Sequence, residues 1–102
     1  MNFYINCNAD DKELIEAVNN TFEDVETINS HNFGDITEII VFCIPIAALT
    51  IQTIDFILTH FANRDIKKDR TLRIGPDMKE YEFKGFSRKE IIAILESLSD
   101  DN

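Results

Sequence analysis

The residues of this chain that could carry chemistry are its cysteines, its histidines and a large set of carboxylates. Cys7 and Cys43 are the candidate nucleophiles, and His31 and His60 are the candidate bases. Covalent catalysis needs a nucleophile beside a base, and a metal centre needs ligands at a characteristic spacing. No two of these residues have such a spacing, although Cys7 and His31 could meet in the folded chain. The sequence therefore predicts no catalytic residues, no metal and no cofactor.

The other motifs of catalysis lead to the same expectation. The three glycines are isolated turn residues, and none belongs to a glycine-rich phosphate loop. The carboxylates fall on the polar sides of predicted helices, where a solvated charge is the ordinary state. We therefore expect a protein that is not an enzyme and that acts by contact with other molecules.

The net charge of −9 is unevenly distributed, because Lys12 is the only lysine or arginine before Arg64. Such an acidic surface favours solubility and attracts basic partners. Nucleic acid is not an expected partner, since phosphate binding needs clustered lysines and arginines. The chain opens without a signal-peptide pattern, and both cysteines lie among apolar residues, so we expect a cytoplasmic protein.

The elements that would position these residues are organised around an apolar stretch from Ile36 to Asn63, whose centre carries no charge. A membrane-spanning helix would insert Ile39–Leu58, although Asp55 opposes this. A buried strand would suit the β-branched residues of Glu38–Ile44. We favour a long buried helix kinked at Pro45, because proline lacks an N–H and starts a new helical segment.

Shorter amphipathic elements surround this central stretch. A strand is predicted over Phe3–Cys7, a helix over Asp11–Phe22 and a short strand over Val25–Ile28. Two alternating segments, Thr71–Ile74 and Tyr81–Lys84, flank a Pro-Asp turn and predict an antiparallel hairpin. With a last amphipathic helix, the chain is predicted to form a single α+β domain. A small sheet with a C-terminal hairpin would pack on the kinked helix and on two amphipathic helices.

Capping boxes predict where the helices begin. A serine or aspartate followed three residues later by glutamate can satisfy the unpaired N–H groups of a first helical turn. Three such pairs lie where a helix is predicted to begin: Asp10 with Glu13, Asp35 with Glu38, and Ser87 with Glu90.

Three segments are the candidate contact surfaces of the protein. A basic connector follows the central stretch and contains Arg64, Lys67, Lys68, Arg70 and Arg73. The tip of the predicted hairpin contains Asp77, Met78 and Lys79, and a polar loop before the central stretch contains Phe33. Apolar residues at loop tips, such as Met78 and Phe33, are more easily explained in an interface than in solvent.

Five features follow one another in a familiar order. They are the strand Phe3–Cys7, the apolar region broken at Pro45, the basic exit Arg64–Arg70, the Pro-Asp hairpin and the helix Ser87–Leu98. In this order the chain resembles the effector-associated constant component family of bacterial conflict systems. Met78 departs from the family pattern, which has glycine at this position of the turn, where a positive φ is often needed. The resemblance implies a non-catalytic adaptor that couples sensing to an effector such as a peptidase, a nuclease or a signalling module.

Other functions stay open at this point. An acidic inhibitor encoded by a phage or mobile element would use the charge of −9 to occupy a basic surface on a host effector. A membrane-associated subunit would insert Ile39–Leu58 into a bilayer. Self-association through the apolar stretch, giving a homo-oligomer, is a further hypothesis.

Overall fold

The computed structural model of the protein describes residues 1–31 and 38–99, without the side chains of Ser30 and His31. The strands are β1 (Asn2–Asn8), β2 (Glu26–His31), β3 (Glu38–Pro45), β4 (Arg70–Ile74) and β5 (Lys79–Tyr81). The helices are α1 (Lys12–Thr21), α2 (Ile51–Ile57) and α3 (Arg88–Ser99). One π-helical turn, Leu58–Ala62, continues α2. The predicted α+β class is confirmed.

The strands form one antiparallel sheet in the order β2-β3-β1-β4-β5. β1 lies at its centre, where Phe3 faces Ile44 of β3 on one side and Ile74 of β4 on the other. Residues that face each other across paired strands point to the same side of the sheet, and the side alternates along each strand. The register therefore assigns every strand residue to one of two faces.

Helices cover one face of this sheet. That face carries the buried β1 residues Phe3, Ile5 and Cys7, together with Phe42 and Ile44 of β3. The helices bury apolar side chains against it, of which the most enclosed are Leu14, Val18, Ile57, Ile91 and Leu95. Sheet and helices thus share one hydrophobic core on this side, and apolar burial of this kind is the main force that stabilises such a fold.

The central stretch is a strand followed by a helix, so the prediction of one long helix kinked at Pro45 is wrong. β3 ends at Pro45, and α2 begins only after Thr50, whose hydroxyl accepts a hydrogen bond from the N–H of Thr53 at 3.2 Å. Glu38 begins β3 and therefore cannot serve a helix start, while its predicted capping partner Asp35 lies outside the described residues. A charge-free run has no periodicity that separates a buried helix from a buried strand. This run is a strand because it pairs with β1 and β2.

One of the other predicted capping boxes is confirmed. The N–H of Ser87 donates to Glu90 Oε1 at 3.1 Å, and the N–H of Glu90 donates to Ser87 Oγ at 3.2 Å. Helix α1 is capped by Asp11, whose carboxylate accepts a hydrogen bond from the N–H of Leu14 at 3.3 Å. The predicted cap at Asp10 is therefore one residue too early.

Strands β4 and β5 form the predicted antiparallel hairpin. Leu72 faces Tyr81 and Arg73 faces Glu80, with 3.4 Å between Arg73 Nη2 and Glu80 Oε1. β5 lies earlier in the chain than predicted, since it spans Lys79–Tyr81 and shares only Tyr81 with the predicted strand Tyr81–Lys84. In the turn, Met78 has a φ of 60°, a left-handed conformation that is unfavourable for residues other than glycine.

Replacing Met78 with glycine should stabilise the protein by about 0.5–1 kcal/mol, because glycine adopts this φ without steric strain. Met78 is exposed, so the variant loses little packing. Urea denaturation followed by circular dichroism measures the free energy of unfolding. The neighbouring variant Asp77→Gly should instead destabilise, since it gains no relief at positive φ and adds chain entropy to the unfolded state. A destabilised Met78→Gly protein would contradict the strain at this turn.

The hypothesis of a membrane subunit required a continuous helix over Ile39–Leu58. Strand β3 and helix α2 divide this stretch between them, with a turn in between. In the part of the chain that the structure describes, no helix has both the length and the apolar character needed to cross a bilayer.

Candidate interaction surface

The basic connector predicted from the sequence does not form one surface. Arg70 is buried in the molecule, with 4% of its side chain exposed. Arg73 lies on the opposite face of β4 and contacts Glu80. Arg64 lies beside Gly85, where an added Cβ would come within 2.9 Å of Arg64 Nε. Arg70 and Arg73 are therefore paired within the molecule at separate places, and Arg64 is exposed beside Gly85.

Lys67 and Lys68 are exposed and line an open pocket of about 290 Å³. Asp69 and Glu82 line the same pocket, together with Lys84, whose Nζ donates to a backbone carbonyl at 3.0 Å. Two carboxylates thus lie among the basic groups of this pocket and reduce the positive potential that phosphate binding would require.

The hairpin tip is a small exposed feature. Asp77, Met78 and Lys79 are all exposed, and Lys79 Nζ lies 5.4 Å from the centre of the Tyr81 ring. Met78 is the apolar residue of this tip. Phe33, the remaining predicted contact residue, lies outside the described residues. The tip stays a candidate contact, but it offers one apolar side chain.

A buried ion pair joins the start of α1 to the start of β4. Arg70 Nε lies 2.7 Å from Asp11 Oδ2 and Arg70 Nη2 lies 2.9 Å from Asp11 Oδ1, while Arg70 Nη1 donates to the carbonyl of His60 at 3.0 Å. The side chain of Asp11 is 1% exposed. The hydrogen bonds from Arg70 hold the pKa of Asp11 below its ordinary value, despite the opposing effect of burial. The pair ties three elements together and is a structural contact.

His60 lies in the π-helical turn beside this pair. Its ring centre lies 5.1 Å from that of Phe56, and its Nδ1 lies 3.7 Å from Glu13 Oε1. The Nδ1 atom is buried and has no hydrogen-bond partner among the described residues. Burial lowers the pKa of His60, and the positive charge of Arg70 lowers it further. The imidazole is therefore neutral in the folded protein near neutral pH.

The free energy of unfolding should fall as the pH drops below about 6.5, the ordinary pKa of histidine. His60 has the lower pKa in the folded state, so the unfolded state binds the extra proton first and is favoured by acid. His60 contributes at most about 1.4 kcal/mol per pH unit to the slope of the free energy of unfolding against pH. Urea denaturation of the protein and of His60→Phe, which keeps a ring beside Phe56, would measure it. An unchanged slope in the variant would contradict a neutral, buried His60.

The cysteines lie in different environments. Cys7 is buried on the helix-covered face, where burial, aided by the negative charge of Asp11, raises the pKa of its thiol to about 11. Cys43 is half-buried on the opposite face. Strand β3 separates the strand that contains His31 from the strand that contains Cys7, so the two residues do not lie on neighbouring strands.

Cys43 should react with Ellman's reagent in the folded protein, and Cys7 should react only on unfolding. A thiol with a pKa of about 11 has roughly one thiolate in a thousand at pH 8, and burial also blocks the reagent. Release of thionitrobenzoate at pH 8, with and without urea, would measure both thiols. The variant Cys43→Ala should show no fast phase. Equal rates for both thiols in the folded protein would contradict this arrangement.

The face of the sheet opposite the helices is open among the described residues. One row of facing residues crosses all five strands and consists of Glu26, Cys43, Tyr4, Arg73 and Glu80. The next row consists of Ile28, Val41, Asn6 and Thr71. The β4 and β5 end of these rows is polar, whereas Ile28, Val41 and Cys43 make the β2 and β3 end mostly apolar, with Glu26 at its edge.

The apolar end of this face is a candidate interaction surface. We name it the apolar sheet patch, and its members are Tyr4, Ile28, Ile39, Val41 and Cys43. Ile28 is 57% exposed, the others are half-buried, and none of the five belongs to the hydrophobic core. A strand with one wet face normally alternates apolar and polar residues, whereas an unbroken apolar run is typical of a strand covered on both faces. β3 has such a run over Ile39–Ile44, although among the described residues the helices cover only one of its faces.

The patch was not predicted, because the apolar run was expected to be a helix. The signal was present, since an apolar run in a strand makes both faces of the strand apolar. The patch offers apolar area for burial, together with the free thiol of Cys43. In the described part of the chain, no three His, Cys, Asp or Glu side chains are placed to hold a metal ion. No protein-family model matches the chain, and neither the curated proteins nor the solved structures contain a match to it.

Proposed function

We propose that this protein is a non-catalytic adaptor or regulatory subunit that acts by protein–protein contact through the apolar sheet patch. The observation that carries the proposal is the apolar face of β3, which no described element covers, with the exposed Ile28 of β2 beside it. Contiguous apolar surface on a soluble protein marks an interaction site more often than isolated apolar residues do. Covering the patch would remove apolar surface from water and so stabilise a complex.

The polar surroundings of the patch suit an interface of this kind. Asn6 and Asn8 of β1 are half-buried on the same face, and Thr71 and the Arg73–Glu80 pair lie beyond them. Interfaces typically have an apolar centre and a polar rim that keeps hydrogen bonds in contact with water. The open face therefore has both parts, with the centre over β3 and the rim over β1, β4 and β5.

The class of partner comes from the resemblance to the effector-associated constant component family. On this proposal the chain acts in the cytoplasm of a bacterium, within a defence or signalling system. Its partner is an effector such as a peptidase, a nuclease or a signalling module. The proposed adaptor function requires neither a cofactor nor a bound nucleic acid.

The test is a capture experiment with variants of the patch. The tagged chain is used to recover partners from its native host at low and at high salt, and mass spectrometry identifies them. The double variant Ile28→Thr/Val41→Thr removes apolar surface and keeps β-branched side chains, so the strands should persist. Ile51→Thr is the matched control, because Ile51 is 74% exposed at the start of α2, away from the patch.

An effector that survives high salt, is lost with the double variant and is retained with Ile51→Thr would support the adaptor. An effector retained equally by all three proteins would overturn the role of the patch. Recovery of the chain alone, with a concentration-dependent molecular mass, would indicate a homo-oligomer in place of an adaptor.

A second candidate is an acidic inhibitor of a host effector, of the kind encoded by phages and mobile elements. The observation that favours it is the concentration of negative charge before residue 64, where Lys12 is the only lysine or arginine. An inhibitor of this kind would bind a basic surface through exposed charges, which salt screens over about 8–10 Å. Loss of the partner at high salt, with no effect of the double variant, would favour the inhibitor.

A further inference from the structure

Strand β2 is an unpaired edge of the sheet. Its residues Glu26–His31 pair one to one with β3 on one side, and no strand among the described residues pairs with its other side. The opposite edge, β5, has three residues. A long edge exposes a row of backbone N–H and C=O groups that another strand can join, whereas a very short edge is protected.

Among the described residues, β2 lacks several of the usual protections of a long edge. Proteins block such edges with proline, with lysine or with a bulge that bends the strand away. The β2 sequence Glu-Thr-Ile-Asn-Ser-His contains neither proline nor lysine, and its regular pairing with β3 leaves no room for a bulge. Glu26, Thr27, Ile28 and Asn29 are all exposed.

A strand added to this edge would also extend the apolar sheet patch. Ile28 lies on the open face in the same row as Val41. Every second side chain of the added strand would therefore point to this same face, and one of them would lie beside Ile28. Apolar side chains at these positions would continue the patch by one strand. The same contact would then satisfy the free edge and cover the most exposed member of the patch.

Charge indicates the chemistry of the added strand. Glu23 and Asp24 precede β2, Glu26 begins it, and all three are exposed. None of them forms an ion pair with a side chain that the structure describes. A segment with lysine or arginine near this end would be attracted, and one with acidic residues would be repelled. A second copy of this chain is the less favourable occupant, because each copy carries a net charge of −9.

We infer that β2 accepts an extended, basic segment of the partner protein, which adds a sixth strand to the sheet. Alternate apolar side chains of this segment lie beside Ile28, and its lysines or arginines lie beside Glu26 and the preceding turn. Backbone hydrogen bonds supply much of the affinity, and side chains supply the specificity, as in other cases of strand addition. This inference rests on the proposed function, since it specifies how the partner engages the same face.

The probe is a synthetic peptide of alternating valine and threonine that ends in three lysines, added to the full chain. A second peptide has glutamate in place of the lysines, and a third has every backbone N–H of its strand segment N-methylated. Titrations followed by ¹⁵N–¹H correlation spectra give the affinity and the location of binding. Hydrogen exchange of the Glu26–Asn29 amides then reports new backbone hydrogen bonds.

Binding of the lysine peptide should shift the β2 resonances and slow exchange at alternate β2 amides. The glutamate and N-methylated peptides should each bind at least about tenfold more weakly. Glu26→Lys should weaken the lysine peptide about three- to tenfold. Glu80→Lys is the matched control, because Glu80 lies in the same row as Glu26 but at the far edge of the sheet. Both substitutions change the net charge by the same amount. It should change the affinity by less than twofold.

Several outcomes would overturn the inference. They are no binding of the lysine peptide at millimolar concentration, equal binding of the N-methylated peptide, or equal effects of Glu26→Lys and Glu80→Lys. Slow exchange at β2 that depends on protein concentration without peptide would assign the edge to a second copy. If these outcomes occur while Ile28→Thr/Val41→Thr still abolishes effector capture, the edge inference fails and the adaptor function stands. If the peptide binds as expected but the double variant captures the effector normally, the adaptor function fails at this surface.

Discussion

Replacing Arg70 with methionine should lower the free energy of unfolding by about 3–5 kcal/mol. Methionine fills much of the same space but leaves the carboxylate of Asp11 buried without its partner. Breaking a buried ion pair by removing one member has this large cost, because the remaining charge is neither solvated nor paired. The N–H of Leu14 would be the remaining donor to Asp11. Since small domains are stable by about 5–15 kcal/mol, the variant loses a large share of its stability.

The loss should depend on pH in a defined direction. In the parent protein the pKa of Asp11 is lowered, so the pair stabilises the fold above the ordinary aspartate pKa of about 3.9 and is lost at lower pH. Without Arg70, burial raises the pKa of Asp11, and its protonation removes the buried charge. The difference between the parent and Arg70→Met should therefore be largest near pH 7 and shrink below about pH 4. Urea denaturation at both pH values would measure it.

Two controls separate the buried pair from a general loss of arginine. Arg88→Met removes a cation whose partner is Asp55, and both side chains of that pair are half-exposed, so the expected cost is below about 1 kcal/mol. The double variant Asp11→Asn/Arg70→Met removes both charges and keeps a residue that can cap α1. It should recover part of the loss. A cost for Arg70→Met as small as that for Arg88→Met would contradict the buried pair.

Replacing Phe42 with alanine should cost about 3–5 kcal/mol, which is the usual range for truncating a large buried aromatic residue. Phe42 is buried on the helix-covered face, where it faces Ile5 of β1. The substitution removes apolar contacts and leaves a cavity that neighbouring side chains fill only in part. Thermal and urea denaturation followed by circular dichroism would give the change.

The neighbouring residues of β3 provide the control. Val41→Ala and Cys43→Ala act on the open face, outside the core, and each should cost about 1 kcal/mol or less. Such alternation from residue to residue is the signature of a strand, because side chains of a strand point alternately to its two faces. Similar costs at residues 41, 42 and 43 would contradict the strand and favour the buried helix that the sequence first indicated.

Elements with a local signal were predictable from the sequence. The alternation in Phe3–Cys7 and Thr71–Ile74 predicted strands, and the stripe of helix α1 predicted its position to within a residue at each end. The box of Ser87 and Glu90 predicted the start of α3, and the unfavourable turn at Met78 was also anticipated. Each of these signals depends on residues within a few positions of each other, where sequence order decides which groups can meet.

The central stretch carried no such signal. Ile39–Ile44 is apolar at every position, so neither a period of 3.6 nor a period of 2 stands out. β1 and β2, which are distant from it in sequence, supply the hydrogen-bonding partners that make it a strand. The same pairing places half of the run on the open face and thereby creates the apolar sheet patch.

By itself, the sequence determined the α+β class, the hairpin, the amphipathic helices and the absence of a recognisable catalytic motif. Only the tertiary structure decided that the basic connector does not form one surface, since Arg70 is buried and pairs with Asp11, which is 59 residues away in the chain. It also decided which face of the sheet the helices cover and which strand is left as an edge. The physical reason is that charge burial, face coverage and edge pairing are properties of long-range contacts, which no local pattern of residues specifies.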